Sequence, residues 1–145
     1  MTSLEIAMVH EIIHKDQLLA IIIKSEFSSP GVHFFTPHAF SQQLAYMRHD
    51  KGKTIDPHVH NPISREVINT QEVLFIRRGI LRVDFYDNDR NYVESHLLRS
   101  GDTILLASGG HGFEVLEDLE MIEVKQGPYT GDADKTRFSG VRGNL

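Results

Sequence analysis

The chain has 145 residues, 40% of them hydrophobic and 24% charged, which suits one globular domain with a single core. Its formal charge of −5, with no cluster of Lys and Arg, argues against nucleic acid as a partner. With no cysteine there is neither a disulfide nor a thiolate to use. The longest apolar run, Leu18 to Ile23, is too short to cross a bilayer, and no basic-then-apolar leader opens the chain. The expectation is a cytoplasmic protein with no membrane attachment.

In chain order, residues 6–14 suit either a helix or a strand. Leu18 to Ile23 is rich in β-branched Ile and reads as a buried strand. Ser28-Ser29-Pro30-Gly31 marks a turn, and Val32 to Phe35 reads as the next strand. From Gln42 the chain reads extended to Met47, turns at Asp50-Lys51-Gly52-Lys53 and resumes towards His60, a hairpin pattern. Residues 61–69 form a polar loop. Gln71 to Ile76 and Ile80 to Tyr86 flank Arg77-Arg78-Gly79, a second hairpin pattern.

A polar turn at 87–91 leads into a strand from Tyr92 to Leu98, and Gly101-Asp102 turns the chain into Thr103 to Leu106. Ser108-Gly109-Gly110 separates that strand from His111 to Leu116, and Met121 to Gln126 closes the series. Many short strands divided by turn residues predict an all-β barrel or jelly roll in a single domain. Residues 1–41 form an N-terminal arm with strands that add to the barrel, 42–127 its core, and 128–145 a polar tail.

Nine histidines is a high count for this length, and His is both a common metal ligand and a proton shuttle. The strongest pattern is Pro57-His58-Val59-His60. Residues two apart on a strand share a face, so both imidazoles can reach one ion. Here the chain resembles the cupin family. The family's first motif runs glycine, HxH, glutamate, glycine; Gly52, His58, His60, Glu72 and Gly79 follow that order. The gap from His60 to Glu72 is longer than the family's. Gly101, Gly109 and His111 match the second motif in part, with Ala107 where the family has proline, His111 one residue early and the closing asparagine missing.

The resemblance covers roughly Gln42 to Gln126. It implies a cupin-type jelly-roll barrel with a metal on His58, His60, His111 and a glutamate. Glu72 has the motif spacing, and Glu66, nearer the HxH pair, is the alternative carboxylate. Three imidazoles and a carboxylate suit one divalent transition ion, Fe, Mn, Ni or Zn. Four protein ligands leave an octahedral ion two open positions for Lewis-acid work or O₂ activation. The resemblance to short bacterial cupins linked to carbohydrate or surface-polysaccharide synthesis points to a small polar, sugar-related ligand. It implies a homodimer too, with Leu18 to Ile23 as a candidate apolar edge for the contact.

Barrel parity sends Leu74, Ile76, Phe113 and Val115 inward. Glu66 and Tyr129 are candidates to move a proton. Tyr46, Lys125 and Gln126 are candidate ligand contacts, with His49, Lys135 and Arg137 further possibilities; His33, His38 and His96 read as structural or surface residues. His10-Glu11-Ile12-Ile13-His14 matches the zinc-protease HExxH pattern, which needs a helix and a third ligand; solvated histidines on an edge segment are the simpler account. Three functions stay open: a metal-dependent cupin enzyme of dioxygenase or isomerase type, a non-catalytic metal- or sugar-binding module, and a metal-free sugar isomerase or epimerase.

Overall fold

The computed structural model describes residues 2–145. A short helix, α1 (Ser3–Ala7), opens the chain. Thr2 and Glu5 cap it reciprocally: the Glu5 amide donates to Thr2 Oγ1 and the Thr2 amide to Glu5 Oε2. The segment left open between helix and strand is therefore divided, because β1 (Val9–His14) follows at once. Its partner β2 (Gln17–Ile23) leads to a small separate hairpin, β3 (Gly31–Phe34) with β4 (Ala45–Arg48). The remaining strands are β5 (Glu72–Tyr86), β6 (Tyr92–Arg99), β7 (Thr103–Leu106) and β8 (Gly110–Lys125). Antiparallel pairing joins them in the order β1-β2-β7-β5-β6, with β8 on the other side of β5. The fold is all-β. No helix among the described residues is long and apolar enough to cross a membrane.

The long strands β5 and β8 set the shape. Glu72–Phe75 of β5 pairs with β7, while Ile80–Tyr86 pairs with β6. β8 follows β5 from one end to the other, with register shifts between Ile76 and Leu81. Both halves of β5 feed one core: Leu74 and Ile76 from the first, Leu81, Val83 and Phe85 from the second, all essentially inaccessible to solvent. A strand can pack its two halves into the same cluster only if it folds over, and the bulges at 76–81 mark that bend. Gly79 sits there at φ +90°, where a Cβ would overlap the Asp118 carbonyl of β8.

The bend corrects two expectations. Arg77-Arg78-Gly79 is not the turn of a hairpin between Gln71–Ile76 and Ile80–Tyr86. It is a bulge inside one continuous strand, because β8 bends alongside and keeps the ladder paired. His111–Leu116 and Met121–Lys125 are likewise parts of one strand, β8, which ends one residue short of Gln126.

A second apolar layer covers the outer face of β2 and β7. Ile21, Ile23 and Leu105 pack there with Phe27, Phe35 and Tyr46, whose ring meets Phe27 at 4.9 Å between centroids. β2 is thus buried on both faces and hydrogen-bonded on both edges, by β1 and β7. That explains its unbroken apolar run and corrects its reading as a bare edge for dimer contact. The HExxH match lies on the edge strand β1 rather than on a helix, and His14 lies 3.7 Å from Asp87. A zinc-protease arrangement is not formed.

The stretch from 49 to 70 departs most from expectation. It contains the Asp50–Lys53 turn, closed by the Lys53 amide donating to the Asp50 carbonyl at 3.2 Å, and then no strand. His58 and His60 therefore do not lie on a β-hairpin within this chain. Residues 47–70 are exposed throughout.

Gly79→Ala should destabilise the fold by roughly 2 kcal/mol or more, since strain at positive φ adds to a steric overlap. Gly52→Ala shares the positive φ, +94°, but has open space around it, and should cost only about 1 kcal/mol. Urea denaturation of the two variants beside wild type measures the difference; equal losses would remove the corner from its structural role.

Candidate functional site: a polar cleft at the open end of the roll

Folding β5 over returns both ends of β8 to one end of the molecule, and a cleft of about 770 Å³ opens there. Its floor carries a chain of charged groups. Glu72, the first residue of β5, has Oε2 3.3 Å from His111 Nε2 and Oε1 3.4 Å from Lys125 Nζ. Lys125 Nζ also lies 3.0 Å from Asp134 Oδ2, and Thr70 Oγ1 donates to Asp134 Oδ1 at 2.7 Å. Glu72 and Lys125 are direct partners on the β5–β8 ladder. His111 reaches Glu72 from the far end of β8. Parity puts Leu74 and Ile76 on the inner face with Glu72, as expected, and Phe113 packs against the core. Val115, expected inward, is 57% exposed, because β8 runs past the core near its bend.

The charges tune one another. The His111 hydrogen bond, backed by Lys125, holds the Glu72 carboxyl below its ordinary value near 4.5 despite partial burial. Asp134 raises Lys125, with help from Glu72, and the Thr70 hydroxyl lowers Asp134. Glu72 therefore stays ionised beside an imidazole, an arrangement that orients the ring.

A second group lies deeper in the cleft. Asp84 is fully buried; Arg82 Nε donates to its Oδ1 at 2.7 Å, and Ser95 Oγ donates to the same oxygen. Its Oδ2 accepts no hydrogen bond, although Arg142 Nε stands 3.4 Å away. Arg142 also donates from Nη1 to Glu114 Oε2 at 2.8 Å. The tail wraps back: Phe138 packs edge-on against Tyr86 at 5.1 Å between centroids, and Arg82 Nη2 donates to the Gly143 carbonyl. Burial, then Asp84, pushes the Tyr86 phenol up.

Of the candidate residues named from sequence, the cleft gathers Glu72, His111 and Lys125, and its wall includes Lys135 and Arg137. Gln126 and Tyr129 line a smaller pocket of about 130 Å³ beside it, with Tyr129 85% exposed. Tyr46 belongs to the outer apolar layer. His49 and Glu66 are exposed on the 49–70 stretch, as are His58 and His60, whose rings stand 5.3 Å apart. Among the described residues, no three of His, Asp and Glu gather in a metal-binding group. The expected four ligands thus fall into two pairs, Glu72–His111 in the cleft and His58–His60 outside it.

Asp84, Tyr86, Thr70, Asp134 and Arg142 were not singled out from sequence. For Asp84 a signal existed: a carboxylate between Val83 and Phe85 interrupts an apolar strand, and a charge there needs partners. The chain matches no protein-family model, no curated protein and no solved structure.

Glu72→Gln should be less stable than wild type at pH 7 by about 1–3 kcal/mol, the worth of hydrogen bonds to a charged group. The folded-state value is depressed, so the stabilisation is present above about pH 4.5 and disappears as pH falls through the lower folded value. The gap between variant and wild type in urea should narrow steadily as pH falls below about 4.5 and vanish once Glu72 is protonated in the folded state. A gap that persisted there would mean that ionisation of Glu72 is not its source.

Proposed function

We propose that this chain is a cupin-type protein that takes a small polar metabolite, sugar-related in chemistry, into the cleft at the end of the rolled sheet. The observation that carries this is the line of alternating acceptors and donors from Thr70 through Asp134, Lys125 and Glu72 to His111. A ligand rich in hydroxyls can exchange hydrogen bonds with every member of that line. The buried Asp84 Oδ2, ion-paired with Arg142 but accepting no hydrogen bond, adds an acceptor able to fix one hydroxyl. Ile68 and the rings of Tyr86 and Phe138 in the cleft wall give a sugar's less polar face something to rest on.

One divalent transition ion, Fe, Mn, Ni or Zn, belongs to this reading as its cofactor, with His58, His60, Glu72 and His111 as ligands. The donor types fit such an ion, but within one chain the two pairs stand apart. A second reading, a metal-free isomerase or epimerase, draws on a specific contact. His111 beside ionised Glu72 is a carboxylate–imidazole dyad that can lift a proton next to a carbonyl and return it. A pure binding module would use the same contacts without turnover.

Elemental analysis of protein purified without added metal separates the first reading from the second. Ligand-observed NMR against hexoses, deoxyhexoses and nucleotide sugars then tests the cleft, with Glu72→Gln and His111→Gln expected to weaken binding tenfold or more. Deuterium uptake from solvent into a bound sugar would mark proton transfer, and binding without uptake would mark the module. If no sugar in the panel binds wild type, the proposed ligand class is wrong.

A further inference from the structure

The separation of the two ligand pairs coincides with two unmatched surfaces. The first is the 49–70 stretch. It is exposed end to end and, among the described residues, no backbone hydrogen bond holds 54–70. Yet it carries Ile55, Val59 and Ile63 at 64%, 85% and 63% exposure. Unpaired backbone bearing exposed apolar side chains is open to joining a sheet as an added strand. The second surface is β8, whose only strand partner among the described residues is β5, so its outer edge carries no ladder from Gly110 to Lys125. That edge also exposes apolar residues, Val115 at 57% and Leu116 at 44%.

The charges match as well. Arg48 to Arg65 carries four Lys or Arg against Asp50 and Asp56, whereas β8 carries Glu114, Glu117, Asp118, Glu120 and Glu123 against Lys125 alone. A donor stretch and an acceptor edge of opposite charge thus occur on one chain, and no other described strand of that chain takes the edge.

We infer that two copies exchange these stretches: residues 54–60 of one copy add antiparallel to the free edge of β8 in the other, and reciprocally. His111 stands at the start of that edge. A strand laid beside it with His60 opposite His111 puts His58 opposite Phe113 and Asp56 opposite Val115, all ahead of the bulges that begin at Leu116. Cross-strand neighbours lie about 5 Å apart. In this register His58 and His60 share the face of His111, the face turned to Glu72. The partner copy then supplies the half of the ligand set that each cleft lacks. Pro57, which has no amide hydrogen, is tolerated because the added strand is itself an edge. The exchange is self-complementary and closes at two copies. Completion of the metal set rests on the proposed ion; the strand exchange does not.

The absence of native cysteine makes the register directly testable. Asp56→Cys and Val115→Cys chains with different tags are co-expressed and oxidised. The expected product is a disulfide-linked heterodimer of one chain of each kind, and light scattering on wild type should give twice the chain mass. A monomeric wild type, no heterodimer, or an intrachain disulfide in the double variant at single-chain mass would overturn the exchange. The second measurement mixes His58→Ala/His60→Ala chains with Glu72→Gln/His111→Ala chains through refolding, with Zn(II) as probe. Neither variant alone should hold the ion. Random pairing should restore roughly a quarter of the wild-type content per chain, because half the dimers are mixed and each mixed dimer has one complete site. No restoration from chains that do form heterodimers would refute completion in trans. A wild type that cross-links as expected yet holds no Zn(II) would sink the metal reading and leave the exchange standing.

Discussion

The structure depends on the continuity of the β5–β8 ladder through a bend. A paired ladder that folds over encloses its own core, since Leu74 and Ile76 then face Leu81, Val83 and Phe85 across a few ångströms of packed side chain. The same bend turns the two ends of β8 back on each other, so His111 and Lys125, far apart along one strand, both reach Glu72. Core and cleft are two results of one geometric event. The missing side chain at Gly79 permits it.

The cleft is held by charge satisfaction more than by packing. Each ionised group there has partners on two sides: Glu72 between His111 and Lys125, Lys125 between Glu72 and Asp134, Asp134 between Lys125 and Thr70. Such a chain keeps half-buried charges tolerable and fixes side-chain directions before any ligand arrives. The tail adds Arg142 over Asp84 and Phe138 against Tyr86, closing one wall of the cleft with residues distant in sequence from the strands beneath them.

Much of the strand set was legible because turn residues and β-branched runs report local conformation. The runs at 18–23, 92–98 and 103–106 correspond to strands in place. What failed were inferences about pairing. Arg77-Arg78-Gly79 has turn chemistry, but the neighbouring strand decides whether such residues reverse the chain or merely bend it. The β2 run looked like a bare edge because periodicity cannot show that a second apolar layer waits outside. In the cleft, Glu72 and His111 were picked out through the spacing of a family motif and do meet. His58 and His60 were picked out the same way and stand elsewhere in the chain. Spacing fixes which residues share a face of a strand, and is silent on whether a sheet receives that strand. Asp84 and Arg142 escaped notice because their importance comes from a tail-to-strand contact that no local pattern encodes.

The position of β2 has a consequence for how the molecule comes into being. This most apolar segment lies near the start of the chain, but its inner neighbour β7 lies in the last third. A growing polypeptide therefore emerges with Leu19 to Ile23 uncovered on one edge until most of the remaining sequence has followed. Closure over so long a stretch is entropically costly and slow. Until that closure, pairing with its own late partner competes with capture of the apolar run by other sticky surfaces.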